Sequence, residues 1–471
     1  MKSPLRWALA CAALAWSACG QAAAANAGLL APADIMQLTD NGAWSWFMDP
    51  RAIVDRGRLI VGSVRANGRF VDANLPGWGN VELTILDLKF RSITQVLLAE
   101  HFEQDDHDAP GLLVLPDGRY LAAYSRHNAE RKMFFRTSVR SGDPFEWGPE
   151  KVFETPGSDA PAFHGNNVTY ANPICLPGES NRIYLLHRSV HEDPNYLISD
   201  DSGETWRYGG HVLIGRGGYA PYLKYASNGK DTIHFVNTED HPRNYDNSLY
   251  HGFIRGGKIH LSDGRVAADL STTTNGSLHA WELTRIFQGD ANNRAWMADI
   301  RLDEKERPVT LFTVHKDGAG QKPGTGGEDH RFHFAHWDGT AWHEAEIAYA
   351  GQRLYAGEDD YTGLGAIDPQ DVSRLIISTD ADPVSGVPLI SQTDKKRHHE
   401  MFLGRTSDQG ATWSWNPLTR NSRSDHLRPI ILNYPGDKLI LVWMRGSYRN
   451  NHGEWTTRID AAFLDREHLA P

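Results

Sequence analysis

The sequence predicts an all-β propeller, a ring of small antiparallel sheets. Three observations carry this: short apolar runs at regular spacing, explicit turn residues between them, and two well-formed copies of one turn motif. The runs include Leu59–Val64, Leu112–Leu115, Tyr120–Tyr124, Arg182–Leu186, Thr232–Val236, Pro308–Val314, Leu375–Ser378 and Lys438–Met444. Each has strand length, and no long helical period interrupts them. Between them lie Pro116-Asp-Gly118, Ser227-Asn-Gly229 and Arg255-Gly-Gly257, which reverse the chain cheaply because glycine accepts positive φ. Many short strands with tight turns imply a sandwich, a barrel or a propeller.

The repeated motif decides among these. Ser199-Asp-Asp-Ser-Gly-Glu-Thr-Trp206 and Thr406-Ser-Asp-Gln-Gly-Ala-Thr-Trp413 share the pattern S/T-x-D-x-G-x-T-W. This is the Asp-box, a hairpin between the last two strands of a propeller blade. Its Asp accepts backbone hydrogen bonds, its Gly takes positive φ and its Trp packs between blades. Trp337-Asp-Gly-Thr-Ala-Trp342 and Ser141-Gly-Asp-Pro-Phe-Glu-Trp147 read as worn copies. These boxes are scaffold and not a ligand site.

The first 27 residues read as a signal peptide, leaving 28–471 as a single propeller domain. Lys2 and Arg6 precede the apolar stretch Trp7 to Trp16, and the small residues near Ala27 suit cleavage. Lipid attachment at Cys19 is the alternative. Without the leader, 46 Lys and Arg face 59 Asp and Glu, a net charge of −13. That balance disfavours nucleic acid and anionic membranes, although a local cationic cleft could still take an anionic polymer. No apolar run spans a membrane. Cys175 alone remains, so no internal disulfide forms and burial must hold the fold. The expectation is a soluble periplasmic or secreted monomer.

Several motifs are bland on inspection. Gly318-Ala-Gly-Gln-Lys-Pro-Gly-Thr-Gly-Gly327 lacks the Gly-Lys-Ser/Thr of a phosphate loop and reads as a rim loop. The His-Glu pairs at His191, His343 and His399 never extend to H-E-x-x-H, which excludes that metalloprotease class. The Asn167 and Asn275 sequons read as accidental. Fifteen Trp and 16 Tyr suit a carbohydrate surface, but blade scaffolding would also use them.

Three clusters in the first half could carry chemistry: Asp105-Asp-His-Asp-Ala-Pro110, Tyr124-Ser-Arg-His-Asn128, and Val168-Thr-Tyr-Ala-Asn-Pro173 with the following Leu186-His-Arg-Ser189. Each lies at a strand end. In a propeller such ends converge on the central channel, so His107, His127, Tyr170 and Arg188 are expected to meet there.

Those segments, with Trp44-Ser-Trp-Phe-Met-Asp-Pro-Arg51, Ala220-Pro-Tyr-Leu-Lys-Tyr225, Tyr361-Thr-Gly-Leu-Gly-Ala-Ile-Asp-Pro369 and Trp443-Met-Arg-Gly446, resemble the BNR-repeat family. That family contains the propeller ulvan lyases of polysaccharide lyase families 24 and 25. The resemblance covers about residues 40 to 465 and implies a seven-bladed β-propeller. It further implies β-elimination beside a uronic acid in an anionic polysaccharide, with no cofactor in the chemistry. A cation must neutralise the uronate so that its C5 proton can leave, while an acid protonates the departing oxygen. By motif, His107 and Tyr170 would be the acid–base pair, Arg188 would neutralise the carboxylate, and His127 and Tyr222 would line the cleft. A structural zinc ion is also implied, with His251, His330 and His399 as its ligands. The alternatives are a propeller glycosidase of sialidase or arabinanase type, though the Arg-Ile-Pro signature of sialidases is absent, and a non-catalytic sugar-binding propeller.

Overall fold

The computed structural model describes residues 30–67, 74–157, 166–215, 220–270, 278–322, 325–434 and 438–466. The leader with Cys19, the Asn275 sequon and part of the 318–327 loop lie outside them.

Among the described residues, thirty strands form seven antiparallel sheets, the seven blades. Blade 1 is Ala52–Asp55, Arg58–Val64, Val81–Asp87 and Ile93–Ala99; blade 2 is Gly111–Val114, Tyr120–Tyr124, Lys132–Thr137 and Lys151–Glu154. Blade 3 is Thr169–Leu176, Arg182–Arg188, Pro194–Ser199 and Arg207–His211. Blade 4 begins with Leu223–Ser227, Thr232–Asn237, Leu249–Arg255 and Lys258–Leu261, and is widened by Val266–Asp269 and Thr284–Phe287. Blade 5 is Arg294–Leu302, Pro308–His315, His330–Trp337 and Trp342–Gly351; blade 6 is Gly365–Ile367, Arg374–Thr379, Glu400–Arg405 and Ser414–Pro417. Blade 7 takes Asp425–Asn433, Lys438–Gly446 and Arg458–Asp465 from the end of the chain, and its outer strand Ile35–Thr39 from the beginning. This closes the ring.

The second strand of every blade coincides with a run visible in the sequence. These strands have sheet neighbours on both edges and blades on both faces, so Tyr120–Tyr124 and Thr232–Asn237 are buried throughout. Such burial favours an apolar run, broken in the second of these by Thr232, His234 and Asn237. Trp44, Trp46, Trp296 and Trp443 are among the largest fully buried side chains, so part of the tryptophan count is scaffold.

Both Asp-boxes join the third and fourth strands of their blades, as expected. Asp201 Oδ1 accepts Thr205 N–H and Asp408 Oδ1 accepts Thr412 N–H, each at 2.9 Å. Trp206 stacks on Phe135 of blade 2 with ring centroids 4.7 Å apart, and Trp413 packs edge-on against Phe334 of blade 5 at 5.2 Å. Each box thus pins its blade to the preceding one. The worn copies occupy the same hairpins in blades 5 and 2.

Strand direction fixes where chemistry can gather. The start of each first strand and the end of each second strand share one face of the ring, while the Asp-box hairpins lie on the other. Inner strands approach closely, and at Gly111 a β-carbon would lie 2.2 Å from the carbonyl oxygen of Ala171 in blade 3. Gly111→Ala is therefore expected to destabilise the fold by about 1–3 kcal/mol through overpacking. Chemical denaturation measures this; an unchanged midpoint would show that the blades can separate there at no cost.

Candidate functional site

On the face carrying the first-strand starts, the predicted clusters meet. Asp105 caps a short turn at Asp106–Asp108, accepting His107 N–H at 2.9 Å. Pro110 holds Ala109 extended and ends the turn, which leads into the inner strand of blade 2. The result is a carboxylate with imidazoles around it. Asp105 Oδ1 lies 2.6 Å from His107 Nδ1, and Oδ2 lies 2.9 Å from His127 Nδ1 and 3.1 Å from His452 Nε2. His107 and His127 stack with centroids 3.9 Å apart, and His452 meets both edge-on at 5.2 and 5.1 Å.

Tyr170 stands beside them, its ring 5.5 Å from that of His107. It has φ of 65°, a left-handed conformation uncommon for an aromatic residue, within the irregular pairing between Thr169 and Asn172. Arg188, ending the next strand, lies over the Tyr170 ring at 4.9 Å. It donates to Tyr222 Oη at 2.7 Å and to Asn128 Oδ1 at 2.9 Å. Phe47, Tyr170, Asn172, Arg188 and Tyr222 line a pocket. Trp296 and His241 back Tyr222, with centroids at 4.7 and 5.7 Å.

The charges are unequal. Burial opposes a positive His107, but Asp105 and Asp106 outweigh it and hold the ring at about 9. Burial pushes His127 down to about 3 against the pull of Asp105, and the neighbouring His107 adds to the fall. Two rings in face contact thus carry one charge between them. His452 is raised, burial opposing and Asp105 prevailing. Burial lifts the Tyr170 phenol well above its usual value, with Tyr222 adding and Arg188 opposing. Arg188 is itself buried, yet among the described residues it makes no ion pair, and its Nε has no hydrogen-bond partner. Other buried cations on the channel are neutralised: Lys224 by Asp49, and Arg428 by Asp106 at 2.6 Å.

All five residues expected at the cleft therefore meet. The zinc trio does not. His251 in blade 4 contacts His234 and Ser262; His330 in blade 5 clusters with His315 and Asp360; His399 adjoins Asp425 beside blade 6. They belong to separate blades and form no common cluster, so these residues do not fit one ion. The sequence reading also missed His452, a lone histidine in a loop of blade 7. Nothing local marks it; only ring closure brings it to Asp105. Asn128 and Phe47 did lie in quoted motifs.

A profile described as BNR repeat-containing family member matches residues 68–350. The chain belongs to this family. Among solved structures, two of a polysaccharide lyase PL25 ulvan lyase share the fold. One, bound to a GlcA–Rha3S unit, is 13% identical with TM-score 0.62, over 90% of this chain and 94% of that one. The other is 14% identical with the same TM-score and coverage. No curated protein sequence matches the chain. Among the described residues, no helix is long and apolar enough to cross a membrane.

The raised His107 makes stability depend on pH. Its folded value of about 9 exceeds the ordinary 6.5, so its contribution is fully present below about 6.5 and lost as pH rises through about 9. The thermal unfolding midpoint should fall across that window, and His107→Gln should flatten the fall. An equal fall in the variant would assign the loss to other groups.

Proposed function

We propose that this protein is an exported polysaccharide lyase, cleaving a uronate-containing polymer by β-elimination, with an ulvan-like polymer as first candidate. The observation that carries the reading is Arg188: a buried guanidinium with no carboxylate in direct ion-pair contact among the described residues, beside groups able to move protons. Leaving a charge so buried is costly unless something supplies the counter-charge. A uronate carboxylate would do so, and would accept the geometry of a guanidinium fork.

With the carboxylate neutralised by Arg188 and by the imidazolium of His107, negative charge developing at C5 and the carboxylate is stabilised. His127 is the base. It is neutral and donates Nδ1–H to Asp105, which leaves the Nε2 lone pair to take the C5 proton. Tyr170, whose phenol keeps its proton, donates to the departing oxygen at C4. The C5–H and C4–O bonds break, a C4–C5 double bond forms, and the chain end leaves as a hydroxyl. This assignment puts His127 in the place of His107 in the acid–base pair, whose roles the sequence left open, because two carboxylates hold His107 as a cation. His452 shares Asp105 and positions both rings.

Incubation with ulvan and a panel of uronate polymers should raise ultraviolet absorbance from the unsaturated product. Tyr170→Phe and His127→Ala should each lower kcat by about 10²–10⁴-fold with the fold intact. Arg188→Met should raise KM and lower kcat together. Reducing ends released without unsaturation would mean a glycosidase instead, and binding without any product would mean a sugar-binding propeller.

A further inference from the structure

The Arg188 guanidinium is held by two side-chain oxygens that carry no charge, Tyr222 Oη on Nη1 at 2.7 Å and Asn128 Oδ1 on Nη2 at 2.9 Å. We propose that Asn128 is a specificity-determining residue for acidic sugars: its amide orients Arg188 without neutralising it, which keeps the guanidinium available to a carboxylate of the ligand. The inference rests on the reading that Arg188 meets a uronate, and it adds the residue that preserves that capacity.

Local structure fixes the amide. Asn128 follows the second strand of blade 2 and has φ of 56°, a left-handed conformation that Asn and Asp enter more readily than most residues with side chains. Its N–H donates to Thr169 Oγ1 at 3.1 Å, and its carbonyl oxygen accepts Asn167 Nδ2–H at 2.5 Å. Both bonds tie the loop to the start of blade 3, where Thr169 pairs with Arg188 across the sheet. Arg188 offers only donors, so the amide oxygen and not its nitrogen faces the guanidinium. Thr169 Oγ1, 3.1 Å from the same oxygen, holds the amide in that orientation.

Stability alone would choose differently. Aspartate has the same shape, tolerates the same φ, and would give the buried guanidinium a charged partner. The channel uses that solution twice elsewhere: Lys224 pairs with Asp49, and Arg428 with Asp106. At Arg188 the contacts are an amide and a phenol, and the charge of Glu192 acts only from beyond ion-pair distance. A carboxylate in place of the amide would take up the positive charge that an incoming uronate needs, and would repel that uronate. A neutral sugar would lose nothing by the exchange. The amide thus gives up stability in return for charge selectivity.

The test uses the full chain and two small probes, methyl β-D-glucuronide and its neutral counterpart methyl β-D-glucoside, with binding read by ligand-observed NMR. The parent should prefer the glucuronide. Asn128→Asp should weaken glucuronide binding at least about tenfold and leave the glucoside as in the parent. Asn128→Ala removes the bond but adds no charge, so it should cost less glucuronide affinity than Asn128→Asp and keep the preference. Should Asn128→Asp not fold, a preference kept by Asn128→Ala supports the assignment and its loss overturns it. The assignment is also overturned if the parent shows no preference, if Asn128→Asp binds the glucuronide as tightly as the parent, or if Asn128→Ala loses more affinity than Asn128→Asp. Those results leave the lyase reading standing wherever the parent releases unsaturated product. The expected order of affinities in a parent that releases none would sink the lyase chemistry alone.

Discussion

Closure of the ring is the constraint on which the remaining structure rests. Ile35–Thr39, from the start of the described chain, pairs with Arg458–Asp465 from its end and completes blade 7. Blade 7 thereby lies against blade 1, and two distant parts of the sequence become neighbours. His452 reaches Asp105 only because of this closure, as do Arg428 and Tyr448, which both bond Asp106. An open arc of the same blades would leave the Asp105–Asp106 pair without three of its partners.

That pair explains the electrostatics of the channel mouth. Two adjacent buried carboxylates are tolerable only if their charge is met, and here it is met by histidines on one and arginine with tyrosine on the other. Asp105 spreads its charge over three rings. Their mutual contact prevents all three from being fully charged, so the stacked pair divides into one imidazolium and one free imidazole. The difference in proton affinity between His107 and His127 thus follows from packing more than from either residue's immediate sequence. Arg188 is the complement: a buried cation bonded to hydroxyl and amide oxygens, with the charge of Glu192 acting on it only from beyond ion-pair distance.

Fold legibility followed burial. The second strand of each blade is largely enclosed, so it carries an apolar run that was visible in the sequence. Outer strands such as Lys151–Glu154 and Ser414–Pro417 alternate with solvent and leave a weak trace. The Asp-boxes were legible because one turn geometry requires Asp, Gly and Trp at set positions. Closure by the first strand was not, since Ile-Met-Gln-Leu-Thr does not name its partner.

Site legibility followed locality. His107, His127, Tyr170 and Arg188 stand in local motifs at strand ends, and the sequence by itself pointed them to one channel, because strand direction follows from strand order; Tyr222 joined them only through the family resemblance. The sequence could not determine which imidazole holds the proton, that His452 joins them, or that His251, His330 and His399 stand apart while His330 finds His315 and Asp360. Those outcomes depend on distances of a few ångströms between segments far apart in the chain. Only the closed ring sets them, because burial and Coulomb interaction act through space and not along the sequence.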